Sequence, residues 1–259
     1  MDRAVLELPN PFYLFRLLTG SDHLHFGYFR SPRESVGEAQ ENMMWLNLFF
    51  RRRDATRVLD VGSGLGATAR ELAKQGCRVT AVCPDATLIA YGRAREAAAP
   101  SGPPVEWITS AFEAWKPTDS FDHVMFQESF QYFDHVEATL RHTRGLLRDG
   151  GRVVIGDQFL NERRPREAVR FHFVDDFVAA ARDVGFRIAT SCDISAGALV
   201  MTRRMLEQLR AEKDALIAAH EPAKPAIRKD IDEMLYWGSQ ELGAFDHGLL
   251  SYRTFVLDA

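Results

Sequence analysis

From residue 57 onward, apolar runs, turn signals and helical periodicity follow one another in regular order. "RVLDV" is a short apolar run, "GSGLG" a glycine-rich turn, and "ATARELAKQG" places Ala69, Leu72 and Ala73 at helical spacing before the stop signal Gly76. "RVTAVC" is the next apolar run, so the pattern predicts strand, turn, helix and strand between Arg57 and Asp85. The alternation continues with a helix from about Thr87 to Ala97, a strand near Val105 to Thr109, and a strand in "FDHVMFQES" ending near Glu128. A helix from about Val136 to Leu147, a strand Arg152 to Phe159, a helix from about Val174 to Val184 and a strand Arg187 to Asp193 come next. "HGLLSYRTFVLDA" predicts a closing strand. Strands alternating with helices argue for an α/β protein with a mainly parallel, doubly wound sheet.

Two flanking regions do not follow this rhythm. Before residue 55, Phe12, Phe15 and Leu18 make one apolar helical face, "SDHLHFGYF" is an aromatic connector, and "SVGEAQENMMWLNLFF" starts a longer helix. Ser35 and Glu38 have the spacing of a capping box, and Trp45, Leu48 and Phe49 give that helix an apolar side. From about Ala198 to Glu241 two charged amphipathic helices are predicted, with Met205, Leu206 and Leu209 on one face and a break at Pro222 and Pro225. The expected organisation is a helical lid over 1–54, a core over 55–195, a helical insertion over 196–246 and a last core strand over 247–259.

With 259 residues and 46% hydrophobic content, the chain is long enough for one α/β core plus an elaboration. A net charge of -4 supplies no basic field for nucleic acid, and Arg51, Arg52 and Arg53 read as a solvated helix end. Cys77, Cys83 and Cys192 lack any paired spacing, so neither a disulfide framework nor a metal site is indicated, and a reducing compartment is expected. The amino-terminal stretch is broken by Glu7, Pro9, Asn10, Pro11 and Arg16, and no apolar run reaches the roughly 18 residues of a membrane span. A cytoplasmic protein without membrane or nucleic-acid partners is expected.

The glycines narrow the chemistry. A dinucleotide fingerprint needs G-x-G-x-x-G, whereas here the third glycine falls one residue early and Asp60 precedes the set by two. "DVGSGLG" resembles motif I of the class I S-adenosylmethionine-dependent methyltransferases, and the order of strands and insertion resembles their small-molecule members, which have seven-stranded Rossmann-like sheets. "HFGY" in the connector looks like a segment found before the core in members acting on glycine, sterols, tocopherol precursors and polyketides.

That resemblance implies S-adenosylmethionine as cofactor and a small-molecule methyl acceptor. Asp60, Gly62, Ser63, Gly64 and Gly66 would face the amino-acid end of the cofactor. At the second strand the family has an acid for the ribose hydroxyls. Cys83 stands there instead, and Asp85 either takes over that role or caps the following helix. At the third strand an adenine-binding aspartate is replaced by Ser110, leaving Ala111 and an apolar Phe112 to hold the base by backbone amides and stacking. Gln127, Glu128, Gln131 and Tyr132 would lie near the substrate, with Glu128 as general base or amine-orienting group, or else paired with a neighbouring helix. His25 and Tyr28 would face the reacting groups from the lid, His25 having the alternative of a local hydrogen-bonding residue. Two other readings stay open because Cys83 and Ser110 depart from the family pattern. One is a pericyclic or decarboxylating catalyst on the same scaffold, and the other is a non-catalytic binding module. A monomer and a homodimer are both compatible with the sequence.

Overall fold

The protein is described from a computed structural model, which describes residues 3–163 and 171–259. Its sheet runs in the order β3-β2-β1-β4-β5-β8-β7. The strands are β1 (Arg57–Val61), β2 (Arg78–Cys83), β3 (Glu106–Thr109), β4 (Phe121–Gln127), β5 (Leu147–Leu160), β7 (Arg187–Asp193) and β8 (Leu250–Asp258), with the two-residue β6 (His172–Phe173) paired to the end of β5. Strands β1 to β5 are parallel, and β8 lies antiparallel between β5 and β7. The expected seven-stranded, mainly parallel sheet is therefore present, with β6 added.

Alternation along the strands divides the apolar residues between two faces. Leu59, Val61, Val124 and Phe126 join a core with Leu140 of α6 (Val136–Leu146) and Phe177 of α7 (Val174–Asp183). Val58 and Met125 join the other core, with Ala69 and Leu72 of α4 (Ala67–Lys74) and Leu88 and Tyr91 of α5 (Ala86–Ala98). That second core continues into the lid: α1 (Arg3–Leu6), α2 (Phe12–Thr19), α3 (Val36–Phe49), α8 (Ser195–His220) and α9 (Ile227–Asp246). The amino-terminal helices and the insertion are one roof, tied by Tyr13 Oη donating to Asp230 at 2.7 Å and Lys224 Nζ donating to the Leu6 carbonyl at 3.0 Å.

One expectation about the lid is corrected. Helix α2 buries Tyr13, Leu14 and Leu18, and the half-buried Phe12 and Phe15 pack against the same core. Helix α3 has the expected capping box at Ser35 and Glu38, but Trp45 is 48% and Phe49 79% exposed. Its buried face instead carries Gln40, Asn42 and Asn47 beside Met43 and Met44. The amides are tolerated there because they bond to other buried groups: Gln40 Nε2 donates to the carbonyls of His23 (2.9 Å) and His25 (2.8 Å), and Asn42 Nδ2 donates to that of Tyr28 (3.1 Å). Polar residues thus dock the connector, which inverts the apolar pattern.

A buried ring on β4 lacks such compensation at both of its nitrogens. His123 on β4 is fully buried with neither ring nitrogen hydrogen-bonded, and burial, then Arg51 and Arg152, push its pKa down to about 3. The folded state holds it neutral while the unfolded chain binds its proton below the ordinary value of 6.5, so this contribution to stability is lost as pH falls from 6.5 toward 3. His123→Leu is expected to raise unfolding free energy by about 1 kcal/mol at neutral pH, by removing unpaired buried polar atoms. It also flattens the acid limb of the pH profile. Urea denaturation at several pH values checks both.

Candidate active site

The turn after β1 is built around one acceptor. The backbone N–H groups of Gly62 (2.8 Å) and Ser63 (3.2 Å) both donate to the Val82 carbonyl, and Gly66 N–H closes the turn on the Ser63 carbonyl at 2.8 Å. Gly62, Gly64 and Gly66 have φ of 71°, 53° and 73°, a region that favours glycine. Their surroundings differ. A Cβ on Gly62 would meet Ser129 Cβ, and one on Gly66 the Trp107 ring, each closer than 3.0 Å, whereas at Gly64 the neighbour is Leu24 Cδ1 of the connector at 3.2 Å. The lid therefore rests directly on the glycine turn.

Three buried polar atoms here have no partner: Asp60 Oδ2, Ser63 Oγ and Gln127 Nε2. They belong to the carboxyl ends of β1 and β4 and the turn between β1 and α4, where open α/β sheets bind ligands. Asp60 is 3% exposed, and burial pushes its pKa up to about 7. Gln127 is oriented by Thr68 Oγ1, which donates to its Oε1 at 3.0 Å and leaves the amide nitrogen as a free donor. Leaving buried polar groups unpaired costs about 1–3 kcal/mol each. An acidic oxygen, a hydroxyl and an amide N–H fit an ammonium and a carboxylate, the two charges of an amino-acid moiety.

At the neighbouring strand ends the ambiguity at Asp85 has a local answer: its Oδ1 accepts from Thr87 N (2.8 Å) and Leu88 N (3.1 Å), making it the N-cap of α5. Oδ2 takes no part in that cap. Cys83 is buried at the end of β2, and burial pushes its thiol up despite the nearby N–H groups of Asp85 and Gly64. Ser110 N–H donates to the Cys83 carbonyl at 3.1 Å, its hydroxyl bonds the Ala111 carbonyl at 3.0 Å, and Ala111 is exposed. The Phe112 ring, expected to stack on adenine, is instead 3% exposed in the α6-side core, edge-on to Phe126 (5.6 Å) and Phe133 (5.7 Å). Its shape suits that aromatic cluster, which leaves its backbone, not its ring, near the strand end.

Glu128, just past β4, has φ of 52°, unusual for a side-chain-bearing residue, and is held there by its N–H on the Gly156 carbonyl at 2.8 Å. Its carboxylate accepts the Phe26 N–H, so core and connector meet at this acid. Burial pushes its pKa well above the ordinary carboxylate range. His25 is 5% exposed, with Nδ1 donating to the Phe26 carbonyl (2.8 Å) and Nε2 therefore accepting from His23 Nδ1 (3.1 Å). Burial first, then His23, lower its pKa to about 3, so it is a neutral ring with both nitrogens engaged. Tyr28 is fixed through its backbone, N–H to the Ala39 carbonyl at 2.8 Å, with its ring over Gly197 of α8.

Several residues of this region were not singled out by the sequence. Asp22 accepts from Arg16 Nε (2.9 Å), Arg70 (2.8 Å), Arg95 Nε (3.2 Å) and Tyr91 Oη (3.1 Å), joining the connector to α4 and α5. Leu24, Gln40, Gln158 and Tyr252 are the others. Asp22 and Leu24 lie inside the connector that drew notice, but only contacts far along the chain distinguish them. Among the described residues, no group of three or more His, Cys, Asp or Glu is placed to hold a metal ion, and no helix is long and apolar enough to cross a membrane.

The strand order and the glycine turn under a helical roof define an α/β core of the class I methyltransferase type. Residues 59–155, a little over a third of the chain, match the family model of a methyltransferase domain. The ubiquinone biosynthesis O-methyltransferase of Paramagnetospirillum magneticum is 34% identical over 94 residues, 36% of this chain and 37% of that protein. This chain thus spans little more than a third of that relative's length. The O-methyltransferase resE of Aspergillus sclerotiorum is 25% identical over 187 residues, 66% of this chain and 71% of that protein. A mycolic acid cyclopropane synthase solved with S-adenosylhomocysteine and CTAB superposes with a TM-score of 0.83 at 15% identity, covering 100% of this chain and 99% of that one, a likeness of fold.

Proposed function

We propose that this protein transfers a methyl group from S-adenosylmethionine to a small molecule, in the cytoplasm and as part of specialised metabolism. The observation that carries this reading is the unpartnered set Asp60 Oδ2, Ser63 Oγ and Gln127 Nε2 beside a turn whose glycines adopt positive φ. Asp60, Ser63 and the backbone of Gly62, Gly64 and Gly66 would hold the amino-acid end of the cofactor. Cys83, Asp85, Ser110, Ala111 and Phe112 would border its nucleoside end. When bound, the cofactor supplies a methyl already activated on a sulfonium. What remains for the chain is alignment and exclusion of water, and the connector residue Leu24, seated on Gly64, serves the second task. Of the groups expected to act on the acceptor, Glu128 is the one suited to proton transfer, because His25 has both nitrogens committed. Tyr28 shapes the roof beside them.

The reading is tested by calorimetric titration with S-adenosylmethionine and S-adenosylhomocysteine in buffers of different ionisation enthalpy. Asp60 holds a proton up to about pH 7 in the free protein, and a cationic ligand favours its ionised form. Binding is therefore expected to release a proton between the ordinary carboxylate range and pH 7, with affinity rising as pH rises through that window. Asp60→Asn is expected to abolish the release. Failure of both ligands to bind overturns the proposal. Cys83 and Ser110, neutral where acids are usual, support a second reading in which the cofactor is only a structural ligand of a pericyclic or decarboxylating catalyst. Binding without methyl transfer to any acceptor in a broad panel favours that reading.

A further inference from the structure

Beyond the cofactor turn, the lid face of the sheet carries a second group of unsatisfied polar atoms. Gln158 of β5 and Tyr252 of β8 stand directly opposite each other in the antiparallel register. Cross-strand partners share one face, and Tyr252 belongs to the core beneath the lid. Tyr252 is fully buried and Gln158 is 4% exposed, yet Gln158 Oε1 makes no hydrogen bond, and the Tyr252 hydroxyl has only the Glu128 carboxylate within its reach. That carboxylate, on a half-buried residue, also receives the Phe26 N–H.

The chemistry of this group is one-sided. Glu128 and Gln158 offer acceptor oxygens, and Tyr252 can accept as well as donate. The principal charges acting on Glu128 are those of Glu241 and of Asp157, the latter ionised above about pH 7, where burial has pushed its pKa; both are negative. Asp157 contributes only its field, because its oxygens already accept from Gln131 N (3.0 Å) and Gln158 N (2.8 Å). Aromatic surface flanks the site: the Phe26 ring lies edge-on to Tyr252 at 5.7 Å and to Phe245 at 6.1 Å. Acceptor oxygens, a negative field and aromatic rings together favour a ligand that is cationic and donates hydrogen bonds.

We propose that Glu128, Tyr252 and Gln158 form a recognition site for an amine, so that the methyl acceptor enters as an ammonium and is methylated on nitrogen. This rests on the methyl-transfer reading and specifies its substrate class. The ammonium N–H groups pair with Glu128 and Gln158 while Tyr252 Oη fills a third position. The cation favours the ionised form of Glu128, whose own proton is released to solvent on binding, and one proton then passes from the ammonium to the carboxylate, giving a neutral carboxyl group and an amine with its lone pair free. Burial of Glu128 suits it to that exchange by raising its proton affinity toward that of the bound amine.

The test uses the full chain saturated with S-adenosylhomocysteine, titrated with hexylamine, hexanol and hexanoate as probes of equal length. Hexylamine is expected to bind at least ten-fold more tightly than either of the others. Glu128→Gln keeps an acceptor for the Phe26 N–H while removing the charge, and is expected to erase that preference. Tyr252→Phe is expected to weaken amine binding several-fold. The same three probes are titrated into the protein without the nucleoside, so the ranking is obtained even if the nucleoside does not bind. Absence of nucleoside binding overturns the methyl-transfer reading alone. Equal affinities, or a preference for hexanoate, overturn the amine site, as does a preference that survives in Glu128→Gln.

Discussion

Replacing Gly62 by alanine is expected to cost about 3 kcal/mol of stability and most of the cofactor affinity. Two terms add. A side-chain-bearing residue in the left-handed region, where Gly62 sits at φ 71°, costs roughly 1–2 kcal/mol. The new methyl would also press on Ser129 Cβ at less than 3.0 Å, and overpacking of this kind adds about 1–3 kcal/mol. The backbone cannot readily move away, because Gly62 and Ser63 N–H both bond the Val82 carbonyl and Ser129 Oγ donates to the Val61 carbonyl at 2.5 Å. For a chain of this size each kcal/mol shifts the melting temperature by about 2–4 °C, so a fall of about 10 °C is expected by calorimetry. Gly76→Ala is the control, since φ there is 85° but nothing lies within 4 Å, and it should show the strain alone. In the double variant Gly62→Ala/Ser129→Gly the obstacle is gone and the two changes should couple favourably. Additive losses would show that Ser129 is not the cause.

The core of this fold is legible because its signals are local. The strand boundaries at Arg57–Val61 and Arg187–Asp193, and the helix from Val136, follow from apolar runs and turn residues within a few positions of each other. The glycine turn is equally local, and it marks the site before any contact is known. What misleads is a helix whose partner is polar. On α3 the apolar Trp45 and Phe49 face solvent because Gln40 and Asn42 are needed to hold connector carbonyls, and that need appears only when the connector folds back. Asp85 is a milder case: its capping bonds run to residues two and three positions away, so its cap reading was available from sequence, but not its priority. Tyr252 and Gln158 are silent in sequence, since each is one apolar-looking or amide position in a long strand and their pairing joins residues far apart along the chain.

Asp22→Ala is expected to destabilise the protein by about 2–3 kcal/mol and to open the roof before the core unfolds. One carboxylate, 10% exposed, receives hydrogen bonds from Arg16, Arg70 and Arg95, whose side chains are 20%, 18% and 48% exposed, and from the Tyr91 hydroxyl. Removing the acid from a fully buried pair costs about 3–5 kcal/mol, because the remaining charge is left without a partner, and the exposure of Arg95 reduces that figure. The loss should not be uniform. Arg70 stays anchored to the Leu65 carbonyl at 2.7 Å and belongs to the core, whereas the connector loses its link to both α4 and α5. Amides from His23 to Tyr28 are therefore expected to exchange hydrogen through a local opening of lower free energy than global unfolding, while β1 and β4 keep their protection. Asp22→Asn, which retains an acceptor for one donor, should fall between the two. With Leu24 lifted from Gly64, cofactor dissociation should quicken in the same order, because the roof is what shields the glycine turn from water. If connector and core amides instead exchange through one common opening in every variant, Asp22 contributes only bulk stability. The roof would then be held by the Glu128 to Phe26 contact and by the α3 amides rather than by this cluster.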